Sequence, residues 1–385
     1  MTITLEGITW DHPRGRTPLE ASIARYRAER PDVAINWTAR SLKDFGELPL
    51  EALAERFDLI IFDHPFIGQA AKRGLLADLS PHIDGAARGW LDAGAVGPSW
   101  RSYHWQGGIY GLPVDAAAHV AAYRPDLLEQ ARRFPPASFD QLLALARDLR
   151  EHGLWVGVPA CPIDAFCMVL TLAANLGQPA GDGARFIEPQ FGAALLERLK
   201  QLVSLCHPSS VEMNPIQMLD QATCGDEIAY IPYTFGYTNY SRQVAGKPLR
   251  FTDIVAAGAL GCSGALLGGA GFGVTGRCRN VAEAAHYGLW LCRPDYQRTH
   301  YLEDGGQPGM LQAWNDPACD SATGGFFTGT LRTLSSAYLR PRFAGYVPFF
   351  EESGIRTNAF LKGNGSAGDL VSWLNHAYGA ALKAA

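Results

Sequence analysis

The tetrapeptide LIIF, residues 59–62, is apolar at every position. A strand with one wet face alternates polar and apolar side chains. One that is apolar throughout is covered on both faces, as in a parallel sheet with helices above and below. The residues before it supply the rest of such a unit. ITLEGITW, from Ile3, reads as a strand. TPLE at 17–20 reads as a capping box, with Thr17 as the cap, Pro18 in the first turn and Glu20 placed to reach back. Leu19, Ile23 and Tyr26 then recur on one helical face until Pro31 stops the helix. VAINW at 33–37 is a second strand, and a short helix around 48–56 leads into LIIF.

The opening is therefore β-α-β-α-β, which predicts an α/β protein with right-handed crossovers. In an open sheet ordered 2-1-3, the first and third strands are neighbours, and ligands bind beyond their carboxyl ends. The tripeptide Asp-His-Pro follows each of those two strands, at 11–13 and 63–65. Both copies are thus expected to line one crevice.

At 385 residues the chain exceeds one comfortable core, so two lobes are expected. A formal charge of −5 with no run of like charges argues against a nucleic-acid partner. FCMVLTLAANLG at 166–177 is too short to span a bilayer and reads as a buried helix. The N-terminus shows neither a basic segment nor a long apolar one. Eight cysteines form no C-x-x-C pair or zinc spacing, and most read as small buried hydrophobes.

Further along, SFDQ at 138–141 and NVAE at 280–283 read as capping boxes. DEIAYIPYTFGYTNYS at 226–241 reads as a strand running into an aromatic loop. GFGVTG at 271–276 matches G-x-G-x-x-G. Its glycines fall on the expected strand rather than between strand and helix, so no dinucleotide site is read there.

Several segments in order resemble the extracellular solute-binding proteins of family 1, the substrate receptors of ABC importers, often for carbohydrates. They are ITWDHPRGRTPLEASIARYRAERPDVAINW, FDLIIFDHPFIGQAAKRGLLADLS, GGIYGLPVDAAAHVAAYRPDLLEQ, ASFDQLLALARDLREHG and LGGAGFGVTGRCRNVAEAAHYGLWLC. The resemblance implies a two-lobed periplasmic-binding-protein-like fold of type II, with a hinge and a central cleft. One lobe would hold 1–114 and 264–305, the other 115–263 and 306–385. It further implies a small polar organic ligand such as a sugar or sugar acid, lobe closure without a cofactor, and a permease partner for a monomeric receptor. Location would be periplasmic or extracellular, or cytoplasmic if Met1 is the native start.

Asp11, His12, Arg14, Asp63 and His64, with Trp10, are the first candidates for the site. Carboxylates accept hydrogen bonds from ligand hydroxyls, and a guanidinium grips carboxylates or vicinal hydroxyls. The alternative is that the aspartates cap the turns before proline. A metal held by two Asp-His pairs is not expected, because adjacent side chains seldom point the same way. Asp115 lies where the chain first crosses between lobes, and Asp164 either caps its helix or faces the cleft. Tyr233, Tyr237 and Asn239 offer flat faces and polar tips for a ring-shaped ligand. Gly268, Gly269 and Gly271 allow close backbone approach, and Gln307 sits in a similar loop. A rival reading makes Cys161 or Cys167 a nucleophile activated by His12 or His64, by analogy with thiaminase I-like transferases on a similar fold.

Overall fold

The computed structural model describes residues 2–40, 50–242 and 246–385. Its strands in chain order are β1 (Ile3–Trp10), β2 (Val33–Arg40), β3 (Leu59–Phe62), β4 (His104–Trp105) and β5 (Gly108–Ile109). They continue with β6 (Ala117–Tyr123), β7 (Trp155–Val156), β8 (Ile228–Phe235), β9 (Arg250–Thr252), β10 (Leu267–Gly268) and β11 (Gly271–Val274).

Two sheets organise two lobes. The first has the order β11-β3-β1-β2, parallel except for β11. The expected 2-1-3 arrangement is present, and LIIF is at its centre with every side chain buried. Burying each of these side chains contributes roughly 1.5–3 kcal/mol, which fixes β3 between its helical layers. The second sheet has the order β10-β6-β8-β7, with β9 also paired to β6. It packs against the apolar helix Pro162–Asn175, buried as expected.

Local departures from the sequence reading have clear causes. The first helix runs Pro13–Glu29, starting before Thr17. His12 is its cap: Nδ1 accepts from the Arg14 N–H at 3.1 Å, and Pro13 occupies the first turn, where no donor is needed. Thr17 instead donates to Pro13 O at 2.7 Å from within the helix. The cap at Ser138 forms as expected, but Asn280 makes no side-chain cap, and Glu283 accepts from the Tyr26 hydroxyl instead. The short helix expected at 48–56 is seen over Leu50–Ala54, and residues 48 and 49 lie outside the described residues.

Three segments cross between the sheets and are knitted together. Leu112 pairs with Phe272, and Asp115 with Pro308. The Asp115 N–H donates to Ala270 O, and the Ala116 N–H to Gln307 O. Because Leu267–Gly268 pairs with β6 and Gly271 with β3, the second crossing falls at Gly269–Ala270, later than the boundary at 264 read from sequence. Gly269 has φ +86°, and an added Cβ would stand 2.7 Å from Ala116 Cα. The lobes touch again elsewhere. The Gly68 N–H donates to Arg342 O at 3.0 Å, and Arg342 Nη1 reaches the carbonyls of Arg101, Ser102 and His104 at 2.6–3.1 Å.

The tightest point of the crossing is Gly309, where a Cβ would lie 1.8 Å from Pro113 O. Neither backbone can yield, so Gly309→Ala is expected to lower stability by about 3 kcal/mol, read as a fall in the urea midpoint.

Candidate functional site

Trp10 ends β1 and Asp63 follows β3, and both reach one cavity of about 180 Å³ between the lobes. From the first lobe, Arg14, Pro65 and Phe66 complete that wall. Opposite stand Ile163, Cys167, Phe235, Tyr237, Arg340 and Phe350, with Glu351. Gly268, at the end of β10, with Gly269 and Ala270 of the second crossing, closes the cavity along one side. The segments after β1 and β3 thus share one wall, as adjacent parallel strands dictate, but from the first it is Trp10 and Arg14, not the tripeptide between them, that line the cavity.

Trp10 lies across the start of the first helix because Gly15 has no side chain: a Cβ there would meet the indole at 2.3 Å. Thr9 Oγ1 ties the same turn down by donating to Gly15 O at 2.9 Å. Arg14 points inward from this turn. Its Nε and Nη2 donate to the two carboxylate oxygens of Asp115 at 2.7 and 2.5 Å, and Nη1 donates to Gly236 O at 2.9 Å. The guanidinium also stacks 4.4 Å from the Tyr237 ring centroid. Burial opposes this charge, and the Asp115 carboxylate more than offsets that, raising the Arg14 pKa.

This pair revises two expectations. Arg14 and Asp115 line the cavity, yet their polar atoms are committed mainly to one another, to Gly236 and to the Ala270 N–H. They join the hinge to the first helix rather than offering free groups to a ligand.

The two histidines also leave the cleft. His12 caps its helix and faces a separate pocket with Asn239 and Tyr240, and burial holds its pKa down at about 4. His64 is fully buried beside Pro65, neither ring nitrogen has a partner among the described residues, and burial keeps it neutral. Asp11 is exposed and paired with Arg16. Tyr233 lies in the core, donating to Val255 O at 3.0 Å; only the end of β8, at Phe235, reaches the cavity. Gln307 is likewise consumed: Nε2 donates to Ala116 O and Gly236 O, and Oε1 accepts from the Thr238 N–H.

Asp63 opens partly onto the cavity, and burial pushes its carboxyl above the usual range, against the pull of Arg340 and Arg40. Asp164 lies behind the wall, 7% exposed, and burial raises its pKa to about 7. The cap of its helix is Cys161, whose Sγ donates to Asp164 Oδ2 at 3.1 Å. Burial and this carboxylate raise the Cys161 thiol, and burial raises Cys167. Both sulfurs are held as neutral thiols, the opposite of an activated nucleophile.

Sequence reasoning missed Arg340, Phe66, Phe235 and Phe350. The signal for the first and last was YLRPRFAGYVPFF at 338–350, where arginines flank a proline ahead of an aromatic helix.

The chain belongs to the bacterial extracellular solute-binding proteins, whose family model matches residues 22–323. No curated protein matches it. Among solved structures it is similar to maltose-bound MalE3 of T. maritima, with a TM-score of 0.83 at 16% identity over 98% of this chain and 99% of that one. It is also similar to an ABC transporter solute-binding protein of Agrobacterium radiobacter K84 in complex with ribitol, with a TM-score of 0.80 at 18% identity over 100% and 99%. A third is one from Agrobacterium vitis S4 with bound D-mannitol, with a TM-score of 0.78 at 16% identity over 100% and 99%. These likenesses show the two-lobed fold. Among the described residues no helix is long and apolar enough to cross a membrane.

Two outcomes are expected. Asp115→Ala strands the buried Arg14 charge and lowers stability by about 3–5 kcal/mol, whereas the double variant Arg14→Met/Asp115→Leu costs less, in denaturant melts. Asp164, with its pKa raised from 3.8 to about 7, keeps a proton that the unfolded chain loses. Its contribution is therefore full below about pH 4 and declines as pH rises toward 7, by at most about 1.4 kcal/mol per unit. Asp164→Asn removes that decline, so its melting temperature relative to the parent should be higher at pH 8 than at pH 5.

Proposed function

We propose that this chain is the receptor of an ABC importer and captures one small polyhydroxy molecule, a sugar, sugar acid or polyol, by closure of its lobes. The observation that carries this reading is the cavity at the ends of β1 and β3, walled by side chains from both sheets. A ligand touching both walls stabilises the closed form and draws the population toward it. At about 180 Å³ the space is smaller than the roughly 300–1,000 Å³ of drug-sized sites and suits a single sugar unit or short polyol. Trp10, Phe66, Phe235 and Phe350 supply flat apolar faces, while Asp63 and Glu351 accept from hydroxyl groups.

The lobes in this reading are 1–114 with about 270–305, and 115–268 with 306–385. Membership of an extracellular solute-binding family supports export of the chain and a membrane permease as its partner; the reading takes the receptor to act as a monomer. The ligands bound in those structural neighbours, maltose, ribitol and D-mannitol, support the polyhydroxy class.

Thermal unfolding with hexoses, pentitols, hexitols and sugar acids tests this. A ligand specific for the folded form raises the melting temperature with concentration. Phe66→Ala should weaken that ligand about tenfold in calorimetry. No response to any member of the panel overturns the reading.

A further inference from the structure

Of the three arginines buried among the described residues, two are saturated with oxygen acceptors. Arg14 has Asp115 and Gly236 O. Arg124 has Asp126, Asp226 and the carbonyls of Ala222 and Gly225. Arg340 is different. It is 6% exposed and lines the cavity, yet among the described residues Nε has no partner and no carboxylate oxygen pairs with it. Its contacts are the face of Phe350, 4.8 Å away, and a long approach of Nη1 to Cys167 Sγ at 3.9 Å.

The position is built rather than incidental. Tyr338 is bonded to the edge of the second sheet, its N–H donating to Ala265 O at 2.7 Å and its carbonyl accepting from the Leu267 N–H at 2.9 Å. Pro341 fixes the backbone next to Arg340, and Arg342 anchors the far side on the first lobe. A buried cation is costly unless an anion and hydrogen bonds satisfy it. Here the charges of Asp63 and Asp164 are near enough to interact with Arg340, but neither carboxylate is in ion-pair contact with it, and the residue lines the ligand space. The guanidinium fork matches a carboxylate with two parallel N–H···O bonds.

We infer that Arg340 receives a carboxylate of the solute, so that the ligand is a small polyhydroxy monocarboxylate, a sugar acid of the aldonate or uronate type. This rests on the polyhydroxy reading above and narrows it. Asp63 and Glu351 in the same cavity disfavour a second negative charge, which sets a monoacid apart from a phosphate ester. They are left to accept from hydroxyls, while the apolar faces cover the carbon chain.

The test is calorimetric titration with matched pairs: ribitol against ribonate, mannitol against mannonate, glucose against gluconate and glucuronate. At least one acid is expected to bind about thirtyfold more tightly than its neutral partner. Arg340→Gln should remove that preference, and Arg340→Lys should restore part of it. Melting of the unliganded Arg340→Gln variant should be undiminished, because the side chain has no internal oxygen partner; a merely structural arginine would lower it. Neutral members binding as tightly as their acids, or acids binding Arg340→Gln unchanged, overturns the inference and leaves the polyhydroxy reading standing. Silence from both halves of every pair overturns both. If Arg340→Gln does not fold, the matched pairs on the parent and Arg340→Lys decide alone.

Discussion

The buried ion pair between Arg14 and Asp115 holds the architecture of the cleft together. One partner stands in the first turn of the first helix, the other in the first crossing segment, and the guanidinium also bonds to Gly236 at the end of β8. A single fork thus fixes the angle of the helix, the path of the hinge and the base of the second lobe. Ion pairs of this kind contribute little net stability compared with apolar packing, but they tolerate few alternative arrangements. Trp10, Tyr237 and Gly269 take their places around it, and the cavity is the space they leave.

The sequence was informative where local chemistry decides structure. The strand LIIF, the 2-1-3 order and the convergence of the loops after β1 and β3 follow from periodicity and the geometry of parallel sheets, and all are present. It was less informative about side-chain direction. Asp-His-Pro looked like a pair of polar groups facing a ligand. In the first copy the imidazole closes a helix end and the carboxylate is exposed; in the second the imidazole is sealed, while Asp63 and Pro65 reach the cavity. One tripeptide has two fates because one copy caps a long helix directly and the other enters a 3-10 turn that runs into the short helix Ile67–Lys72.

Gln307 and Tyr233 show a second limit. Both residue types are common at binding sites, and here both are spent on backbone carbonyls and amides deep in the protein. Such partners come from distant segments, so spacing along the chain does not reveal them. Arg340 is the converse case. It lies far along the chain from the opening unit, and its importance comes from what it lacks. An unmet donor becomes visible only when the residues around it are placed in space.

The seam at Arg342 bears on how long a captured solute stays. That guanidinium bonds to three carbonyls of the 101–104 turn, and its own carbonyl accepts the Gly68 N–H. Parting the lobes must break this set together, whatever occupies the space inside. Escape is thereby tied to a clasp belonging to the protein itself, so different cargoes share one upper bound on their dwell-ending rate.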